Sequence, residues 1–329
     1  MKIRQTQIRP LFLTLLITIF LGIADKTFAE DLPSVLVLRP DSRELIEVRK
    51  GFEDDLAGYV NVSETVLTKN RSAQQIEQAL KRTRPAMILV LGNGAINMYR
   101  KYQERNPDRA YPPAILTAAL FVDQLVERVE NATGILYEIP LVTSVRKLRG
   151  LVNNEIASVG VIHREWMTSF IEQNRKFAKS EAVELRGITL PDDGDFSRLI
   201  NKGLEKLLDD GVDAIWIVND NRLLTATLLM ESWIPTLRNA DLPVIVGVEP
   251  LVRTRFHLGM FASVPDLYAL GAQSAGVAWD IMDAGFSLEG FDAAQPLSIE
   301  TIFNRELAEK KGISVISSEL GTVKRVIGD

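Results

Sequence analysis

The residues able to do chemistry are few. Cysteine is absent, and the histidines are His163 and His257. A chain without thiols has no disulfide, no thiolate metal site and no cysteine nucleophile. It contains neither a Gly-x-Ser-x-Gly elbow nor a cluster of metal-ligand residues, so it reads as a non-enzyme with no cofactor and no metal. What remains is a set of short polar segments suited to binding: Arg39-Pro40-Asp41-Ser42, Gly92-Asn93-Gly94, His163-Arg164-Glu165-Trp166, Asp220-Asn221 and Glu249.

Each segment has a binding reading and a structural one. Ser42 either caps the helix after it or offers its hydroxyl to a ligand. The backbone N–H groups of Asn93 and Gly94 stand where a helix begins, suited to an anion, or form a tight turn. Position 97 is Asn, so the third glycine of a dinucleotide fingerprint is missing. Arg164 is able to clamp an anionic group through two N–H donors, and Trp166 to stack on a flat ligand or to pack its helix. Asp220, with Asn221 beside it, is the strongest candidate: a carboxylate facing a closed cleft needs a partner, and a ligand ammonium supplies one. The alternative for Asp220 is a helix cap. Glu249 is a similar candidate. Tyr137 and Glu138 are either hinge contacts or solvent-facing residues. His257 lies in the basic stretch Arg253-Thr254-Arg255-Phe256-His257, assigned to the surface.

Most of these segments follow an apolar run. Residues 34–38, 87–91, 157–162, 214–218 and 243–248 read as continuous hydrophobics, as parallel strands buried on both faces should. Between them Leu45, Val48, Phe52 and Leu56 share one face of a helix. Leu199, Ile200, Leu204, Leu207 and Leu208 do so before Gly211 ends the turn. Ser72 with Gln75 forms a capping box opening a helix that carries Ile76 and Leu80. Alternating strands and helices predict a doubly wound α/β fold, in which ligands bind beyond the carboxyl ends of the strands.

At 329 residues the chain is long enough for two cores. Residues 1–29 carry a basic start at Lys2, Arg4 and Arg9, an apolar stretch shorter than a normal membrane span, and Thr27-Phe28-Ala29, which predicts a signal peptide cleaved after Ala29 or after Ala24, the alternative being an uncleaved anchor. No cysteine follows it to take a lipid, so a free protein in the periplasm is expected. Without residues 1–29, 34 basic residues face 42 acidic ones, a net charge of −8. A negative field of that size argues against nucleic acid and anionic headgroups as partners.

Three groups of residues, in their order along residues 34–315, resemble the substrate-binding proteins of ABC transporters that include binders of aromatic amino acids. They are Val35-Leu36-Val37-Leu38 with Gly51-Phe52 and Leu56; Asn131-Ala132-Thr133-Gly134-Ile135; and a C-terminal set of Val212-Asp213-Ala214-Ile215 with Asp220-Asn221, Leu270-Gly271-Ala272-Gln273-Ser274-Ala275, and Ile302-Phe303-Asn304 with Ala308 and Gly312-Ile313. The resemblance implies a type I periplasmic binding fold, two lobes joined by a three-crossing hinge. Lobe one would be residues 31–137 with 250–297, and lobe two 138–249 with 298–329. It also implies a monomer that closes on an amino acid or related compound, with ligand contact at Asp220, and docks on an ABC permease. The same fold allows a second output, a closed form presented to a membrane sensor kinase or chemoreceptor. Two departures from the family pattern, Gly92-Asn93-Gly94 and Ile162-His163-Arg164-Glu165-Trp166, bear on which ligand is taken.

Overall fold

Residues 32–253 and 258–328 are described by the computed structural model; the leader expected at 1–29 and His257 lie outside the described residues. The first sheet is assembled from β1 (Ser34–Arg39), α1 (Glu44–Asp55), β2 (Asn61–Val66), α2 (Ser72–Thr83), β3 (Met87–Leu91), α3 (Gly92–Glu104), β4 (Ala114–Thr117), α4 (Val122–Val126) and β5 (Ala132–Gly134). After a crossing come α5 (Leu141–Leu151), β6 (Ser158–Arg164), α6 (Thr168–Ser180), β7 (Glu184–Leu190), α7 (Phe196–Asp209) and β8 (Ala214–Ile217). Then α8 (Ala226–Leu228) runs through a π-helical turn into α9 (Ile234–Arg238), followed by β9 (Val244–Val246) and β10 (Phe261–Pro265). The chain returns to the first lobe as α10 (Leu267–Asp283) and ends in the second with β11 (Ile299–Asn304), α11 (Arg305–Lys310) and β12 (Arg325–Ile327).

The first sheet has the order β2-β1-β3-β4-β5, all parallel. The second has the order β12-β11-β10-β9-β8-β6-β7, parallel except where β10 meets β11. Both faces of the first sheet are covered, which is why its strands read as unbroken apolar runs. Leu36, Leu38, Ile88 and Val90 pack under α2 and α3, whereas Val35, Val37, Met87 and Leu89 pack under α1 and α10. Each such fully buried side chain contributes about 1.5–3 kcal/mol.

The expected stripe on α1 is present: Leu45, Val48 and Phe52 are buried, Leu56 follows the helix, and Glu44 and Glu47 complement its positive end. This helix crosses α10 at van der Waals contact through two glycines. A Cβ on Gly51 would stand 2.0 Å from the Tyr268 carbonyl oxygen, and one on Gly271 would stand 1.9 Å from that of Val48. The Gly51 and Gly271 positions in the family resemblance are therefore packing positions. On α7, Ile200, Leu204 and Leu207 are buried and Gly211 turns the chain at φ +69°.

Two expectations need correction. Ser72 makes no cap bond, and Gln75 reaches back to the preceding loop, accepting from the Thr68 N–H (2.9 Å) and donating to the Val66 carbonyl (3.0 Å). The return to lobe one was expected at residue 250, but β10 stays in the second sheet, with Phe261 and Ala262 beside Ile245 and Val246 of β9. Its residues are buried on both faces, so leaving that sheet would expose them. The chain crosses back at Asp266, whose N–H donates to the carbonyl of Ser298 on the outgoing third crossing. The first and third crossings also touch, where the Leu136 N–H donates to the Ala294 carbonyl.

Candidate functional site

The ends of β6, β7 and β8 meet at an ion pair. Arg164 donates from Nε to Asp220 Oδ2 (2.7 Å) and from Nη2 to Asp220 Oδ1 (2.9 Å), with the Asp192 carboxylate 3.7 Å from Nη1. Asp220 is 2% exposed and also accepts the Arg222 N–H (2.9 Å). The two residues expected to hold opposite charges of a ligand thus hold each other, because β6 and β8 are neighbours in the sheet. An Asp220 neutralised in this way has little left to offer an ammonium group.

Next to this pair the accounting differs. Buried polar atoms are nearly always hydrogen-bonded, and the exceptions call for an explanation. Among the described residues, five buried side-chain atoms lack a partner: Tyr99 Oη, Thr117 Oγ1, Trp166 Nε1, Asn219 Oδ1 and Ser263 Oγ. All but Tyr99 lie in or just beyond strands that end at the junction between the lobes. Asn219 and Ser263 line one small cavity, about 20 Å³, together with Glu138, Phe121, Phe170 and Trp216. Gly247 makes room for Asn219, whose amide nitrogen donates to the Gly247 carbonyl (3.3 Å) while its oxygen is buried without a partner. A Cβ at Gly247 would collide with that amide at 2.5 Å.

Lobe one closes the cavity with Phe121. Its ring meets Trp166 edge to face at 4.7 Å and Phe170 at 5.5 Å, both from lobe two. The loop that carries it is strained, with Ala118 at φ +51° and Phe121 at φ +56°. Two groups hold that strain. Asn93 clamps Leu120 in both directions, donating from Nδ2 to its carbonyl (2.9 Å) and accepting its N–H (2.8 Å). The Phe121 N–H donates to Glu138 Oε1 at 3.0 Å. Burial pushes the Glu138 carboxyl up to about 7, against the pull of backbone N–H donors and with a small push from Asp123.

The other expected residues fall around this centre. Ser42 is half-buried but does not cap α1, which starts from Arg43 without a side-chain cap. Gly94 is exposed with open space around it, and Asn93 serves the Leu120 loop. Asn221 is exposed. Tyr137 is half-buried, its phenol pushed up to about 12 by burial and then by the charges of Glu44, Glu138 and Glu249. Burial works against the Glu249 carboxylate, yet Arg325 and Arg253, both at 2.7 Å, hold it below its ordinary range. His163 is buried, with Nδ1 3.1 Å from the Arg164 carbonyl and Nε2 3.3 Å from Thr189 Oγ1, a packing role. Asn219 and Ser263 were not singled out from the sequence. Asn219 is the first residue after the apolar run 214–218 and so had a signal; Ser263 sits inside a strand that the apolar runs did not reveal. Among the described residues there is no cluster of potential metal ligands and no helix long and apolar enough to cross a membrane.

No family model and no curated protein matches the chain. Solved structures do. A ligand-free, open substrate-binding protein with adhesive properties from Clostridium difficile is 13% identical, with a TM-score of 0.66 over 91% of this chain and 100% of the other. A conserved domain protein from Vibrio cholerae is 18% identical, with a TM-score of 0.57 over 89% and 99%. An ABC domain in complex with L-Trp from Streptococcus pneumonia is 17% identical, with a TM-score of 0.56 over 89% and 100%. At such identities the likeness is one of fold, and two sheets joined by three crossings form the type I periplasmic binding fold expected from the sequence.

Proposed function

We propose that the chain is a solute-binding protein that captures a small polar molecule, an amino acid or related compound, between its lobes. The observation that carries this reading is the cavity in which Asn219 Oδ1 and Ser263 Oγ are buried without partners beside the Glu138 carboxyl. A fold that leaves hydrogen-bonding capacity unspent loses stability, and a ligand that completes those bonds recovers it. The ligand touches Phe121 of lobe one and Asn219 of lobe two, so it favours the closed arrangement in which both reach it. Two of the similar structures are described as a substrate-binding protein and as a domain holding L-Trp, which supports the same role here. The closed form then docks on a membrane permease of the ABC type as a monomer, in an exported compartment reached through the leader at 1–29. No catalytic step is part of this reading.

The test is a thermal-shift screen of amino acids, amines, sugars and nucleosides on the mature chain, followed by solution scattering with each hit. A ligand at 100 times its Kd should add about 2.7 kcal/mol of stability. Scattering should then show a smaller radius of gyration than for the free chain. A ligand that stabilises the chain without contracting it, or a screen with no stabilising solute, refutes lobe closure as the function.

A further inference from the structure

We infer that Phe121 is a latch: a lobe-one side chain that docks into lobe two and shuts the polar site, so that a solute reaches Glu138, Asn219 and Ser263 only while the ring is withdrawn. The gating of a solute rests on the proposed binding role, whereas the latch itself is open to test without any solute.

The loop between β4 and α4 divides its side chains between two cores. Ala119 and Val122 are buried in the core of lobe one, whereas Phe121 is buried in the core of lobe two, with Leu120 packed against it. Among the described residues Phe121 is the one buried lobe-one side chain in that second core. Its ring stands edge to face on Trp166, just before α6, and on Phe170, on that helix. A ring taken out of water and set against two others holds the lobes together.

The same loop is poised to let go. Ala118 and Phe121 both have left-handed backbones, a conformation that costs any residue with a side chain, so the loop keeps this shape only while its partners hold it. Those partners are Asn93, with two bonds to Leu120, and Glu138, which accepts the Phe121 N–H. Glu138 lies on the first crossing, so movement of the lobes about the crossings pulls on the latch.

With the ring in place the site is sealed. Its cavity of about 20 Å³ has room for about one water, too little for an amino acid or a sugar. Beside it runs a groove of about 800 Å³ between α4 and the start of α6. Phe170 lines both, and Trp166 lines the groove, so the Phe121 ring that packs on them stands where the two would join.

Trp166 supplies the test. Its Nε1 is buried without a hydrogen-bond partner, so burial alone keeps that proton from exchanging with water. Trp233 is the control, buried in lobe two and donating from Nε1 to the Leu223 carbonyl at 2.9 Å. Nuclear magnetic resonance of the mature chain in heavy water, with no solute added, follows both indole protons. In the wild type Trp166 should exchange faster than Trp233. Phe121→Ala should widen that ratio about tenfold or more, the factor carried by two lost ring contacts. Asn93→Ala, which frees Leu120 and leaves the ring intact, should widen it in the same direction. Equal exchange at the two indoles in the wild type, or equal acceleration of both in the variants, makes Phe121 an ordinary core residue and overturns the latch. The binding role then still stands or falls on its own solute screen; a widened ratio beside a screen without a hit removes the solute and keeps the latch.

Discussion

Two buried polar clusters lie at the carboxyl ends of the second sheet's strands, and they differ in how their hydrogen bonds are spent. In one, Arg164 and Asp220 close a two-bond ion pair, with Asp192 and the Arg222 N–H completing it. In the other, Glu138 meets backbone N–H donors, that of Phe121 at 3.0 Å, while Asn219 Oδ1 and Ser263 Oγ have no partner. The first has the more obvious binding residues, a guanidinium and a carboxylate. The second has the capacity left to bind. Residue type says what a group can do; only its partners say whether it has already done it.

The sharpest way to break this contrast is at the saturated pair. Asp220→Ala should cost about 3–5 kcal/mol in chemical denaturation, because it leaves Arg164 charged and buried without its partner. Replacing both, Arg164→Met with Asp220→Leu, should restore most of that loss. If Asp220→Ala left stability intact and abolished ligand binding, the two clusters would have their roles exchanged.

A smaller effect, of opposite character, belongs to Glu138. Its carboxyl titrates at about 7 in the folded chain against an ordinary 4.5. Between those values the folded chain keeps the proton and the unfolded chain has lost it, so stability must fall as pH rises through this window. At 1.36 kcal/mol per unit the fall is about 3 kcal/mol between pH 4.5 and 7. Denaturation midpoints across that range should show it for the wild type, and Glu138→Gln should remove that part of the slope. A wild-type contribution rising with pH would mean that Glu138 is paired in the folded chain.

The least effect on stability is expected at Ser263. Ser263→Ala removes a buried hydroxyl that bonds to nothing, so thermal unfolding should be unchanged or improved by up to about 1 kcal/mol. The same variant should weaken ligand binding measured by titration calorimetry. A clear loss of stability would show that the hydroxyl has a structural partner and would blur the distinction between the clusters.

Much of the architecture was legible beforehand. The strand expected at 87–91 is β3 as found, those at 34–38 and 157–162 differ from β1 and β6 by one or two residues, and the stripes on α1 and α7 face their cores. Less legible were β2, whose Asn61-Val62-Ser63-Glu64-Thr65-Val66 lies at a sheet edge with no fully buried residue, and the three-residue β5 and β12. At an edge, or over three residues, there is too little burial to leave an apolar run. The rule that ligands gather at strand ends led to the right edge of the sheet. It stopped one residue past Asn219, at the more strongly charged Asp220, and missed Ser263 because β10 was not recognised as part of that sheet.

The sequence by itself determined the apolar runs and stripes, and with them two α/β lobes without thiol chemistry, since burial of a strand or helix face is written within a few neighbouring residues. Only the tertiary structure decided which polar groups remain open. Arg164 and Asp220 are 56 residues apart and meet because β6 lies beside β8, and Ser263 joins Asn219 because β10 pairs with β9. A hydrogen bond is satisfied or not by what stands within about 3 Å, and that neighbour is chosen by sheet order, which no local pattern encodes.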